Sequence, residues 1–387
     1  MENFNYYVPT RVLFGKGALA SLPEYLPKQA KHFLLAYGGN SIKQNGIYDK
    51  VTGLLDSLGI SYVELSGIEP NPKLASVKKG IALCREHQVD SILAVGGGSV
   101  IDCCKAICAG FYYDGDPWDL VLDHSKVQQA LPLYVVPTIA ATGSEMNGGG
   151  VISNPDTNDK MPVKSDLLRP VCSVLDPTFT YTVPAFQTAS GVADTMSHVF
   201  ESYFSRTPHA SVQNHMAEGI LKTCIEYGPI AVNEPDNYEA RANLMWAASL
   251  ALNGLLGCGK SGGPSCHPME HPLSAYHDIT HGAGLAVLTP AWMEYIISPD
   301  TVGKFAEYGR AVFELDADLP DLETAETAIA MTREFFLSLG LPGTLSELGV
   351  TEQYLEEMAQ KAAEDRLPSA YVPLSKEDVL AIYHSCL

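Results

Sequence analysis

The sequence predicts two domains: an α/β domain over residues 1–182, built on a mostly parallel sheet, and an all-helical domain over residues 183–387. Three observations lead there. A chain of 387 residues is longer than one ordinary hydrophobic core organises. Over residues 1–180 short β-branched or aromatic runs alternate with helix-like stretches, the pattern of a parallel sheet covered by helices on both faces. After about Pro184 the strand signals stop.

The elements follow in order. Strand-like runs fall at 32–37 (HFLLAY), 60–65 (ISYVEL), 91–95 (SILAV), 133–137 (LYVVP) and 172–175 (CSVL). Between them, 74–87 repeats apolar residues at helical spacing. Residues 147–163 read as a glycine-rich entry and a hairpin turned at Asn154-Pro155-Asp156. Farther on, 192–204, 212–227, 238–256 and 325–339 all read as helix, which places the boundary within 181–184.

Composition narrows the class. Apolar residues make up 46% and charged ones 18%, as in a soluble globular protein. No run approaches the ~18 consecutive apolar residues of a membrane span, and Met1-Glu2-Asn3-Phe4 lacks the basic, then apolar start of a signal peptide. The expected location is the cytoplasm. With 25 basic against 45 acidic residues the formal charge is −20, which repels a phosphate backbone and argues against nucleic acid as a partner. The nine cysteines form no C-x-x-C pair. Cys103, Cys104 and Cys108 share one apolar, helix-like run and are expected to pack as small hydrophobes. A reducing compartment fits this usage.

Three loops carry the first chemistry. Gly96-Gly97-Gly98-Ser99 lies between the strand-like SILAV and the helix-like VIDCCKAICAG. Glycines allow close backbone approach, and a helix start offers unpaired N–H groups to an anion such as a pyrophosphate. It is not a G-x-G-x-x-G fingerprint, so a plain tight turn is the competing reading. Gly38-Gly39-Asn40-Ser41 and 138–145 (TIAATGSE) likewise follow strand-like runs, at the edge where open α/β sheets bind ligands. Three such loops together favour a nucleotide cleft.

The second half carries a sharper pattern. Asp194 and His198 are four residues apart in a helix-like run, so both leave one face. His267, His271, His277 and His281 fall within fifteen residues, out of eleven histidines in the chain. A carboxylate and imidazoles from two segments suit zinc or ferrous iron. A lone histidine would more simply be a satisfied core residue; four beside a D-x-x-x-H helix reverse that preference. Cys266 is the weaker ligand candidate. No H-E-x-x-H pair competes. Nucleotide loops in one domain and an open metal site in the next suggest hydride transfer to a metal-polarised carbonyl.

Over essentially its full length the chain resembles the iron-containing (group III) alcohol dehydrogenases, in the branch of NADPH-dependent butanol dehydrogenases and aldehyde reductases. The matching motifs are Phe14-Gly15-Lys16-Gly17, Glu69-Pro70-Asn71-Pro72, Gly96-Gly97-Gly98-Ser99-Val100-Ile101-Asp102, Pro137-Thr138 and Thr142-Gly143-Ser144-Glu145. Asp194-x-x-x-His198-x-x-Glu201, His267-x-x-x-His271 and His281-Gly282 complete the set. The resemblance implies a dehydroquinate synthase-like architecture, with an N-terminal dinucleotide-binding domain, a C-terminal helical metal-binding and substrate domain, and an active site in the cleft between them. It implies that Asp194, His198, His267 and His281 bind one divalent metal, Fe2+ or Zn2+, and form the catalytic site with His271, which would stand near the nicotinamide without ligating. Gly38, Gly39, Asn40, Ser41, Asn71, Gly97, Gly98, Ser99, Asp102, Thr138, Thr142, Asn147 and Lys160 would line the dinucleotide. A homodimer would be usual.

Two departures matter. NAD-preferring members often carry an Asp at the end of the first strand, where this chain has Gly39. That points to NADP(H) over NAD(H), with Lys43 available to add positive charge. Pro264, Pro268 and Pro272 in the metal segment leave the substrate open. The expected reaction is hydride transfer between NADP(H) and small aliphatic aldehydes or primary alcohols of the butanal/butanol kind. His271 is the best side-chain proton carrier, and Glu201, two turns from Asp194, is either a partner of the site or a solvated carboxylate. The alternatives are an NAD-preferring polyol dehydrogenase and, more remotely, a dehydroquinate synthase-type lyase. The lyase needs several Lys and Arg around the metal, and only Arg206, Lys222, Arg241 and Lys260 lie between Asp194 and His281.

Overall fold

The computed structural model describes residues 1–28 and 30–387, which form two compact units. The first comprises Tyr7–Val183 with Pro235–Ser249; the second comprises Met1–Tyr6, Pro184–Glu234 and Leu250–Leu387. Two segments thus depart from a simple division into 1–182 and 183–387, for local reasons. The Met1 ammonium donates to Pro208 O at 2.9 Å and Glu2 N–H to Gly259 O at 2.8 Å, so the N-terminus belongs to the helical unit. Trp246 packs edge-on against Phe14 with ring centroids 6.0 Å apart, and the Ser249 hydroxyl donates to the buried Glu145 carboxylate. Those contacts tie most of one late helix to the α/β unit.

The strands are β1 (Arg11–Phe14), β2 (His32–Tyr37), β3 (Ser61–Leu65), β4 (Ser91–Gly96), β5 (Leu133–Pro137), β6 (Gly149–Asn154), β7 (Asp159–Lys164) and β8 (Cys172–Leu175). Six form one sheet in the order β1-β8-β5-β4-β2-β3, and every pairing is parallel. β6 and β7 make the expected antiparallel hairpin. One expectation is corrected: the run at 32–37 is the second strand, since β1 precedes it at the opposite edge.

Side chains alternate across the sheet, as strand geometry requires. Phe33, Leu35, Leu93, Val95, Tyr134 and Val136 enter one core; Leu34, Ala36, Ile92, Ala94, Leu133 and Val135 enter the other. Each fully buried aliphatic side chain contributes about 1.5–3 kcal/mol, so both faces must be covered. The helices that cover them are α1 (Ser41–Gln44), α2 (Ile47–Ser57), α3 (Leu74–Glu86), α4 (Gly98–Gly110) and α5 (Asp119–Leu122). All nine cysteines are free and buried, with Cys103, Cys104 and Cys108 on α4 packed as the sequence suggests.

Then follow α6 (Ala185–Tyr203), α7 (Ser211–Asn233), α8 (Tyr238–Ala251), α9 (Cys266–His277), α10 (His281–Ile296), α11 (Val302–Phe313), α12 (Asp321–Ser338), α13 (Leu355–Glu364) and α14 (Lys376–Ser385). All but most of α8 build the helical unit. Among the described residues no strand occurs after β8, and no helix is long and apolar enough to cross a membrane.

Candidate nucleotide loops and metal centre

The register brings the three loops of the α/β unit to one edge. Tyr37 pairs with Val95 and Gly96 with Pro137, so β2, β4 and β5 end level. Between β2 and β4 the chain reverses its direction of sheet growth, which is where open sheets place ligands. Gly38, Gly39, Asn40 and Ser41 follow β2; Gly97, Gly98 and Ser99 join β4 to α4; Thr138 and Thr142 follow β5. The N-terminal N–H groups of α4, thirteen residues long, make that junction suitable for a pyrophosphate. Asn71 sits before α3 at φ 49, a left-handed conformation that asparagine tolerates. Its neighbour Pro72 accepts the Ser153 N–H at 2.9 Å, which holds this turn against β6.

Asp102 and Asn147 have structural work of their own. The Asp102 carboxylate accepts from Ser144 Oγ at 2.5 Å and from Val151 N–H at 2.9 Å. Lys105, with no exposed surface, donates to Ser144 Oγ, Asn147 Oδ1 and Gly149 O at 2.8, 2.9 and 2.6 Å. Burial pushes Lys105 down to about 8, while Asp102 and Glu145 pull the other way. This network fixes the 142–149 loop on α4, and sequence reading missed Lys105 entirely. Lys160, on β7 opposite Ser153, is buried rather than solvent-facing. Replacing it with alanine is expected to raise the Michaelis constant for the cofactor at least severalfold. An unchanged constant and turnover rate would return Lys160 to a purely structural role.

The Lys43 expectation is altered by its surroundings. Its ammonium stands over the rings of Tyr37 and Tyr48, at 5.1 and 4.6 Å, and 3.8 Å from a Glu64 oxygen. Glu64 also accepts from the Tyr37 and Tyr48 hydroxyls. A carboxylate absent from the sequence reading therefore competes for that charge.

In the helical unit the metal candidates converge. α6 carries Asp194, His198 and Glu201 on one face, and α9 supplies His267 and His271 one turn apart. His281 opens α10, whose second residue allows close approach to α6: a Cβ on Gly282 would lie 2.0 Å from Ser190 O. One Asp194 oxygen then faces His198 Nε2 at 3.5 Å, His267 Nε2 at 3.6 Å and His281 Nε2 at 3.8 Å. Donors about 2.0–2.1 Å from a tetrahedral ion lie about 3.4 Å from one another, so the spacing suits a shared cation. That Asp194 oxygen is buried and has no hydrogen-bond partner among the described residues. An orphaned anionic oxygen ringed by imidazoles fits a metal site.

The electrostatics agree. Burial opposes ionisation of Asp194, yet His198, His267 and His281 hold its carboxyl well below the usual range. Burial lowers His198 to about 4 despite Asp194. It opposes protonation of His267 too, but Glu201 and Asp194 outweigh it and raise that imidazole to about 9. Asp194 and Glu201 thus favour positive charge at this point, which a divalent ion can supply. Glu201 is no solvated carboxylate: one oxygen accepts the His267 backbone N–H at 2.9 Å and lies 2.9 Å from Nδ1.

The remaining candidates separate. His271 is buried with its ring 5.8 Å from that of His281 and 6.1 Å from that of His267. His277 ends α9 and joins neither metal-competent group among the described residues; His198 joins neither as well, though its Nε2 faces the Asp194 oxygen, and His271 groups with Glu270 and His281. Cys266 is buried, its thiol pushed well up by burial, and it joins neither group either. Glu270, unread in the sequence, has no exposed surface and contacts His281 Nδ1. Its place between His267 and His271 in a short apolar stretch was the signal that could have found it.

Residues 9–177 match the family described as iron-containing alcohol dehydrogenase, and residues 188–387 match the C-terminal family described as Fe-containing alcohol dehydrogenase. The chain is 54% identical to NADH-dependent butanol dehydrogenase A of Clostridium acetobutylicum, over 99% of each chain. It is 43% identical to the NADPH-dependent aldehyde reductase YqhD of Escherichia coli, over 94% of each. The crystal structure of an NADH-dependent butanol dehydrogenase A from Thermotoga maritima superposes with a TM-score of 0.95 at 37% identity, covering 100% of this chain and 99% of that one. Matches of that length and identity mean that the chain belongs to the iron-containing alcohol dehydrogenase family, as an NAD(P)-dependent alcohol/aldehyde oxidoreductase of its butanol dehydrogenase and aldehyde reductase branch.

Proposed function

We propose that this enzyme interconverts small aliphatic aldehydes and primary alcohols, with butanal and butanol as representative substrates, and that it favours NADP(H) by a modest margin. The observation that carries the site assignment is the buried Asp194 oxygen faced by three imidazole nitrogens at 3.5–3.8 Å. In this reading Asp194, His198, His267 and His281 hold one cation, and a set of one carboxylate oxygen and three imidazoles suits Fe2+ or Zn2+. When bound, the cation supplies a Lewis acid for the substrate oxygen and the nicotinamide supplies or accepts the hydride.

The chain's own residues do the rest. Glu201 anchors His267 from the side away from Asp194, so the ring is oriented before any ligand arrives. Burial of Asp194, His198 and His267 keeps water from competing for the same donors. A ring nitrogen of His271 carries the proton of the substrate hydroxyl, directly or through one water. The N–H groups at the start of α4 hold the pyrophosphate, and Lys160 holds the dinucleotide from the hairpin.

The lyase alternative lacks its cations. Lys222 pairs with Glu314 at 3.0 Å, Lys260 donates to Ser202 O at 2.8 Å, and Arg206 donates to Tyr371 O at 2.7 Å. Arg241 donates to Pro235 O at 2.9 Å in the other unit. None is held ready for a phosphorylated polyol acid. Metal-loaded enzyme mixed with NADPH and butanal is expected to oxidise the cofactor in proportion to butanol formed. Absence of turnover with butanal, propanal and pentanal in the metal-loaded enzyme would overturn the substrate class.

The margin for NADP(H) rests on Gly39, where no carboxylate repels a 2′-phosphate. It is held down by Glu64, whose charge sits on Lys43. Relatives named NADH-dependent and NADPH-dependent are 54% and 43% identical to this chain.

A further inference from the structure

We propose that Glu270 is a positioning residue of the metal centre, holding His281 in the tautomer that presents Nε2 to the cation. This rests on the reading that Asp194, His198, His267 and His281 bind that cation. Glu270 lies on α9 with no exposed surface. One of its carboxylate oxygens meets His281 Nδ1, and the other accepts from the Ser274 hydroxyl. The opposite nitrogen of His281 faces the Asp194 oxygen at 3.8 Å. Gly284 of α10 leaves room here: a Cβ on it would press on Ile279 Cδ1 at 2.9 Å, on Glu270 Cγ at 3.1 Å and on Oε1 at 3.3 Å.

A neutral imidazole has one N–H and one lone pair. With its N–H donated from Nδ1 to Glu270, the lone pair of His281 lies on Nε2, toward Asp194. Without that acceptor the proton is shared between both nitrogens and the ring is free to turn. Glu201 stands likewise 2.9 Å from His267 Nδ1, though without hydrogen-bond geometry to it, whereas His198 Nδ1 is buried with no carboxylate recorded beside it among the described residues. Two of the three imidazoles therefore have a carboxylate beside Nδ1, and that of His281 is hydrogen-bonded. Glu270, His271 and His281 also lie close enough to hold an ion themselves. In that case Glu270 would be a ligand, at the cost of its contact with Nδ1.

The experiment is zinc titration of metal-free enzyme against a chromophoric chelator. Native protein is expected to bind one ion, and Glu270→Ala to bind one ion about 10–100-fold more weakly. Glu270→Gln, whose amide oxygen still accepts from Nδ1, should recover most of the loss, and the melting temperatures of the metal-free forms should stay close. Cobalt substituted for zinc should show a shifted visible spectrum in Glu270→Ala and a near-native one in Glu270→Gln. Should the alanine variant fail to fold, Gly284→Ala, which displaces the carboxylate, is expected to give the same loss. Unchanged affinity in Glu270→Ala, equal losses in both variants, or a native stoichiometry of two falling to one would overturn the proposal. Zinc retention by Asp194→Ala would overturn the underlying site reading instead.

Discussion

Asp194→Ala is expected to abolish both metal retention and oxidoreductase activity while the helical unit stays folded. Among the described residues its carboxylate is the anion recorded facing the Nε2 atoms of His198, His267 and His281, at 3.5, 3.6 and 3.8 Å. Removing it leaves three neutral or cationic rings around a divalent charge. Loss of an outer-sphere partner alone lowers metal affinity about 10–100-fold, so loss of this directly facing oxygen should exceed that. The fold should survive because the buried carboxylate is costly to desolvate and, without metal, one of its oxygens makes no hydrogen bond. His267 keeps its Glu201 contact at 2.9 Å in the variant. Metal analysis after dialysis, butanal reduction and circular dichroism of the same sample check all three claims. Stoichiometric metal with full activity in Asp194→Ala would refute the assignment.

How much of this was legible in the sequence depended on how local each cause was. The central strands β2, β4 and β5 are short runs of β-branched and aromatic residues buried on both faces, and their composition announces them. β1 is four residues long at a sheet edge, with exposed Arg11 and Phe14 at its ends, so neither period nor burial marks it. The candidate metal set was legible where, as for Asp194 and His198, i, i+4 spacing is a helical fact that needs no tertiary information. Its selection was not: His277 and Cys266 are as near in sequence as His271, and only the course of α9 and the start of α10 sorts them. Lys105 reads as a stray charge in an apolar helix until Ser144 and Asn147, far along the chain, arrive as acceptors. Glu64 and Glu270 were passed over for the same reason, since a carboxylate's role depends on which side chain folds against it. The transfer of 235–249 to the α/β unit follows from contacts with Phe14 and Glu145 that no helical pattern contains.

Gly39→Asp is expected to invert the coenzyme preference, from a modest advantage for NADP(H) to a clear one for NAD(H). The position follows β2 at the switch point of the sheet, in an exposed loop, and a Cβ there meets no heavy atom within 4 Å. An aspartate side chain therefore fits without disturbing Tyr37 or Ile42 beneath it. It would accept from the adenosine ribose hydroxyls of NAD and repel the 2′-phosphate of NADP. Each charge-assisted hydrogen bond gained or lost is worth about 1.5–3 kcal/mol, so one or two move the ratio of catalytic efficiencies by about one to three orders of magnitude. Glu64→Gln should move the same ratio the other way and by less. It frees Lys43 from its 3.8 Å partner, but that pair is solvent-exposed and weak. One tyrosine hydroxyl can still donate to the amide oxygen and the other can accept from the amide NH2, so the loop should keep its shape. Catalytic efficiencies with both coenzymes, measured on native, Gly39→Asp and Glu64→Gln enzymes, decide the matter. Parallel changes for NADPH and NADH in Gly39→Asp would show that the loop after β2 does not read the ribose. A fall in the NADPH ratio in Glu64→Gln would show that Lys43 acts only while Glu64 holds it in place.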